Sequence, residues 1–201
     1  MTPSHISISS KLPEVGTTIF TVMSAMAAEC NAINLSQGYP DFPISGELIS
    51  LVHHYMLADH NQYAPMPGTP ALRQSISNKL ELSHGLLFDP DKEITIVAGA
   101  TEGLYSALNA FIHRGEEAII FDPAYDLYAP SVKLAGGIPV HLELELPNFT
   151  INWEQLESAI SDMTRVIVIN NPNNPAGCVL GEEDLMRLSA IAERHDLIVI
   201  S

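Results

Sequence analysis

From Glu93 to Ser201, short apolar runs alternate with stretches in which apolar residues recur every three or four positions. The runs are EITIVA (93–98), AIIFD (118–122), IPVHLEL (138–144), RVIVIN (165–170) and LIVIS (197–201). They are mostly continuous rather than alternating, which predicts strands covered on both faces. Helical spacing fits 102–113, about 126–135, 153–161 and 182–195 between them. Strictly alternating strands and helices, with connections long enough for crossovers, predict an α/β fold with a doubly wound, parallel-rich sheet and flanking helices.

Upstream the pattern is different. Residues 46–58 place Leu48, Leu51, Val52 and Tyr55 on one helical face. A second helix is predicted over 69–85, opening on Thr69 and Pro70 and stopping at Gly85. Between them NQYAPMPG (61–68) is a proline-bound connection carrying Tyr63. The first forty-odd residues show no clear periodicity and read as an irregular arm. The expected organisation is an arm over 1–45 and a large, incomplete domain over 46–201.

Composition narrows the function classes. A chain of 201 residues that is 46% hydrophobic can bury one sizeable core. Lys and Arg number 9 against 24 Asp and Glu, a net charge of −15 with no basic cluster to offset it, so nucleic acid and anionic membranes are not expected partners. No apolar run reaches the ~20 residues of a membrane span, and the N-terminus lacks the charged start and apolar core of a signal peptide, so a cytoplasmic location is expected. Cys30 and Cys178 form no CxxC pair, and the eight histidines show no ligand spacing, so no metal site is expected.

In a doubly wound sheet, ligands bind where loops leave the carboxyl ends of the strands. Three loops qualify. GATEG (99–103) precedes a helix, and its glycine, the Thr101 hydroxyl and the first-turn N–H groups suit an anion such as a phosphate, although an ordinary capped turn reads the same way. DPAYDLYAP (122–130) brings Tyr125 and Tyr128 just past a strand end, to stack on a flat ring or to cover the core. NNPNNPAG (170–177) packs four asparagines and two prolines into one turn, more amides than a turn requires. Neither GxGxxG nor GxxxxGK[ST] is present, which argues against nicotinamide and nucleoside triphosphate sites. A phosphate loop, a stacking ring and an amide donor together suit a planar, phosphorylated, ring-hydroxylated cofactor, as pyridoxal 5'-phosphate is.

These segments, with NLSQGYPDFP (34–43) and NQYAPMPGTPALRQSI (61–76), occur in the order found in class I/II aminotransferases of fold type I. The chain resembles the N-terminal half of such an enzyme, and most of all the methionine, kynurenine and glutamine aminotransferase branch. The resemblance implies that Asn174 bonds the cofactor's ring oxygen, that Ala100 and Thr101 belong to the phosphate loop, and that Tyr125 stacks over the pyridine ring. It implies further that Gly38 lies where the arm touches the substrate carboxylate. Tyr63 matches a tyrosine reaching the phosphate in the partner subunit's site, so a homodimer is expected. Asn170, Asn171 and Asn173 carry no such implication and read as turn residues.

The implied function is amino group transfer from an amino acid to a 2-oxo acid. The family's Schiff-base lysine and carboxylate-binding arginine lie beyond the part that this chain matches. Its own lysines, Lys11, Lys79, Lys92 and Lys133, stand in other contexts, so no catalytic residue is assigned and the chain is expected to be inactive alone. A carbon–sulfur lyase of the same fold and a noncatalytic half acting through a partner chain remain open on the sequence.

Overall fold

The computed structural model describes residues 9–38 and 40–201. The chain forms two compact units, one of Gly16–Val97, the other of Ala98–Ser201 with the segment ending at Val15.

The first unit is helical. Helix α1 spans Ile19–Glu29, α2 Gly46–Leu57 and α3 Pro70–His84. The α1 helix corrects the expectation of an irregular arm. Thr18 caps it, with Oγ1 accepting from the Thr21 N–H at 3.3 Å, and the Ala-rich end of the segment favours helix. No α1 or α2 residue is buried, including Leu48, Leu51, Val52 and Tyr55. Helix α3 starts with Pro70 in its first turn and ends at Gly85 as the sequence predicts, although the Thr69 side chain makes no capping bond. Arg73, 6% exposed, donates to the Gly68 carbonyl at 3.3 Å and to Pro90, and pairs with Asp91 at 2.9 Å.

The predicted strand 93–98 does not form. Residues 94–97 carry no regular structure, and Ile96 donates to the Pro67 carbonyl at 3.0 Å. A strand exists only with a ladder partner, and no strand of the described residues pairs with this segment.

The second unit holds the sheet. Its elements are α4 (Ala100–Phe111), β1 (Glu117–Asp122), α5 (Tyr128–Leu134), β2 (Ile138–Glu143), α6 (Trp153–Ala159), β3 (Thr164–Val168), α7 (Glu182–His195) and β4 (Ile198–Ile200). Helix α4 begins two residues earlier than predicted, which puts Ala100 and Thr101 in its first turn, and α5 begins later, at Tyr128. The strands are all parallel, in the order β2-β1-β3-β4. Alternate residues of each strand face opposite sides. Ala118, Ile120, Val166, Val168 and Ile200 pack under Leu108 of α4, Ile112 just past its end, and Val132 of α5. Ile119, Phe121, Leu142 and Ile167 pack under Leu156 of α6 and Leu188 and Ile191 of α7. The central strands β1 and β3 are therefore covered on both faces, the edge strands β2 and β4 only in part, and the sheet is doubly wound.

The order carries a functional consequence. From β1 the chain steps to one side to form β2, then returns past β1 to form β3 on the other side. Right-handed crossovers place α5 and α6 on opposite faces for that reason. The loops leaving β1 and β3 then diverge and leave a crevice at the carboxyl edge, the topological switch point at which doubly wound sheets bind ligands.

Candidate active site

Three of the predicted loops meet this edge of the sheet. Segment 123–127 leaves β1 and carries Tyr125; segment 169–181 leaves β3 and carries Asn174. Helix α4 reaches β1 through a short turn, and Leu108 in its C-terminal half packs with Ala118 and Ile120 of β1, which directs the helix N-terminus with Ala100 and Thr101 toward the carboxyl edge.

The start of α4 is an open donor site. Gly99 precedes it at φ 92°, in a region that favours glycine, and supplies no side chain to cap the helix. The first N–H groups of a helix have no intrahelical acceptor, and here Gly99, Ala100 and Thr101 are all exposed. Glu102 turns away from them: its carboxylate accepts from the Ala98 N–H, behind the first turn. This contact escaped the sequence reading, although an acidic residue at the third helical position is its usual signal.

Tyr125 is half-buried, its ring meeting Tyr128 edge to face with centroids 5.8 Å apart and planes at 71°. Tyr128 is buried at 6% exposure, and burial, with Tyr125 beside it, raises its phenol above the ordinary value of 10.0. Next to this loop, Asp122 at the end of β1 pairs with His141 Nδ1 of β2 at 2.8 Å.

The asparagine loop divides its amides between structure and display. Asn171 Oδ1 accepts from the Leu180 N–H at 2.9 Å and its Nδ2 donates to the Leu180 carbonyl at 3.3 Å. Asn173 Oδ1 accepts from the Ala176 N–H at 3.0 Å, while its backbone N–H donates to the Cys178 carbonyl at 2.9 Å. Asn170 spans the turn: with its amide oriented so that nitrogen meets acceptor and oxygen meets donor, it donates to the Pro172 carbonyl at 3.1 Å and accepts from the Asn174 N–H at 2.8 Å. Asn174 is exposed, and its side chain takes part in none of these bonds.

The loops of the second unit thus bring Ala100, Thr101, Tyr125 and Asn174 to one edge, all with neutral donors. No Lys or Arg occurs in 98–103, 123–127 or 169–181. The two remaining predicted residues belong to the helical unit. Tyr63 is fully exposed, in the loop that Arg73 and Ile96 hold at Gly68 and Pro67. Gly38 is exposed and outside any regular element. No helix among the described residues is long and apolar enough to cross a membrane.

Residues 31–201 match the model of the family aminotransferase class I and II. Methionine aminotransferase of Escherichia coli (strain K12) is 44% identical over 201 residues, which are all of this chain and 52% of that protein. A crystal structure of an Escherichia coli protein with a methionine aminotransferase function superposes with a TM-score of 0.95 at 44% identity, covering 98% of this chain and 52% of that one. A probable N-succinyldiaminopimelate aminotransferase of Mycobacterium tuberculosis is 34% identical over 194 residues, 96% of this chain and 49% of that protein. The chain spans about half the length of the curated relatives it matches. It belongs to the class I and II aminotransferases, a family that depends on pyridoxal 5'-phosphate.

Proposed function

We propose that this chain is the cofactor-binding, N-terminal half of a pyridoxal-phosphate aminotransferase that moves the amino group of methionine or a similar apolar or aromatic amino acid to a 2-oxo acid. One observation carries the reading: of the four amides in the loop leaving β3, three bond the loop itself and only Asn174 is left to meet a ligand at the switch point.

The donor set suits the cofactor. The N–H groups of Ala100 and Thr101 and the Thr101 hydroxyl would hold the phosphate, Tyr125 would lie on the pyridine ring, and Asn174 would donate to the ring oxygen. The bound cofactor supplies an electron sink for the substrate's alpha carbon. A helix N-terminus contributes only ~0.3 to 2 kcal/mol toward an anion, so with no cation in these loops the phosphate needs charge from outside them. Tyr63, on a stiff exposed loop, would reach the phosphate in a partner subunit's site, and Gly38 would lie by the substrate carboxylate. Methionine is the substrate named for the 44% identical relative, which supports that substrate class.

Among the chain's lysines, Lys133 is in the last turn of α5, away from the crevice edge, and pairs with Glu14 at 2.7 Å; Lys92 pairs with Asp89 at 3.3 Å. Lys11 and Lys79 are exposed and lie outside the three loops, and the family resemblance implies that the covalent lysine would come from a C-terminal half. The chain alone is expected to show no transaminase turnover, and co-expression with such a half is expected to give amino transfer from methionine. Absence of amino transfer from methionine and from aromatic amino acids in the co-expressed pair would overturn the assignment.

A further inference from the structure

We propose that Tyr128 is a positioning residue that couples the Tyr125 ring to the asparagine loop, so that the stacking group and the amide donor are set by one buried side chain. The inference rests on the reading that Tyr125 and Asn174 face the cofactor. The loops leaving β1 and β3 share no strand pairing beyond Val168, and each would drift without a common support.

Tyr128 supplies one. Its ring meets Tyr125 edge to face at 5.8 Å, and its N–H donates to the Tyr125 carbonyl at 3.3 Å, which closes the turn carrying that ring. On the other side it lines a small apolar cavity with Phe121, Val168, Asn170, Asn173 and Cys178, directly beneath the turn that presents Asn174. At 6% exposure, anchored in the core with Val132 and Ile120, it has little freedom to move. An edge-to-face pair has a preferred geometry, so a fixed Tyr128 ring selects one orientation of the less buried Tyr125 ring. A filler of the same volume without a ring would preserve the core and lose that selection.

The test compares Tyr128→Phe with Tyr128→Leu. A fluorinated tyrosine at position 125 reports the ring's surroundings by its resonance in the cofactor-free chain, and pyridoxal 5'-phosphate titration of the assembled enzyme reports affinity. Tyr128→Phe should leave both readings unchanged. Tyr128→Leu should shift and broaden the fluorine signal and weaken affinity about threefold to tenfold, the factor expected for one lost aromatic pair. In a Tyr125→Ala background, Tyr128→Leu should lose at least half of that effect, the remainder passing through the asparagine loop. If Tyr128→Leu does not fold, Tyr128→Met carries the same comparison. An unshifted fluorine signal in the ring-less variant, or an affinity loss of the same size with and without Tyr125, would overturn the proposal. If Tyr125→Ala alone leaves affinity unchanged, the cofactor reading of Tyr125 fails, and the fluorine signal still decides whether Tyr128 orients it.

Discussion

Asn171 holds Leu180 by both sides of its backbone, accepting from its N–H at 2.9 Å and donating to its carbonyl at 3.3 Å. This reciprocal pair closes the loop after β3 at its base, while Asn174 stands exposed at its turn. Two asparagines three positions apart therefore answer to different pressures. Asn171→Ala should cost about 1 to 3 kcal/mol of stability, because it removes both bonds and leaves part-buried backbone groups without partners. Asn174→Ala should leave unfolding unchanged and weaken pyridoxal 5'-phosphate binding. Urea unfolding and cofactor titration of the two variants check this, and equal stability losses would contradict it.

Gly68 and Ile96 make a second contact of this kind, in the helical unit. Gly68 sits at φ 96°, and a Cβ there would come 2.2 Å from Ile96 Cγ1. Gly68→Ala should destabilise the unit by about 2 to 4 kcal/mol through backbone strain and overlap together. Arg73→Met keeps the apolar stem but abandons the carbonyls of Gly68 and Pro90. Its expected cost is smaller, about 1 to 3 kcal/mol, since the partner carboxylate of Asp91 is 78% exposed and regains water easily. Proteolysis within 61–68 should rise in both variants.

Tyr63 has no packing role to lose, being fully exposed. Tyr63→Phe should leave the unfolding free energy within about 0.5 kcal/mol of the parent, as surface substitutions usually do. If Tyr63 serves a neighbouring subunit, mixing Tyr63→Phe subunits with subunits inactivated elsewhere should restore one working site per hybrid dimer. Full cofactor affinity in a strictly monomeric enzyme would remove the basis for that arrangement.

Much of this was readable in the sequence because the strands of a doubly wound sheet are continuous apolar runs. AIIFD, IPVHLEL, RVIVIN and LIVIS all became strands. EITIVA has the same composition but no ladder partner among the described residues, and periodicity carries no information about partners. Helix α1 was legible despite the reading of its segment as an arm: Ile19, Val22, Met23 and Met26 recur at helical spacing behind the Thr18 cap, although all four stay exposed and bury no stripe. At the site, the order of the loops identified candidate residues. Which amides the loop consumes depends on Leu180, nine residues beyond Asn171, and on Cys178, five beyond Asn173. Those pairings exist only once the chain has folded.

Glu116 offers a test through pH. It sits in the turn between α4 and β1, where its carboxylate accepts from the His113 N–H at 2.8 Å, approaches His113 Nδ1 at 3.1 Å and meets Arg165 Nε at 3.4 Å. The bond from the His113 N–H, followed by the His113 side chain and Arg165, holds the carboxyl below its ordinary value of 4.5. A carboxyl depressed in the folded state binds fewer protons there than in the unfolded chain, so its contribution is present above the ordinary value and is lost as pH falls through the lowered one. Glu116→Gln should therefore be less stable than the parent near neutral pH, and the gap should close under acid below the ordinary carboxylate range. Urea midpoints for both chains from about pH 7 down to about pH 3 measure the gap. A difference that stays constant across that range would mean that the charge of Glu116 does not hold the turn.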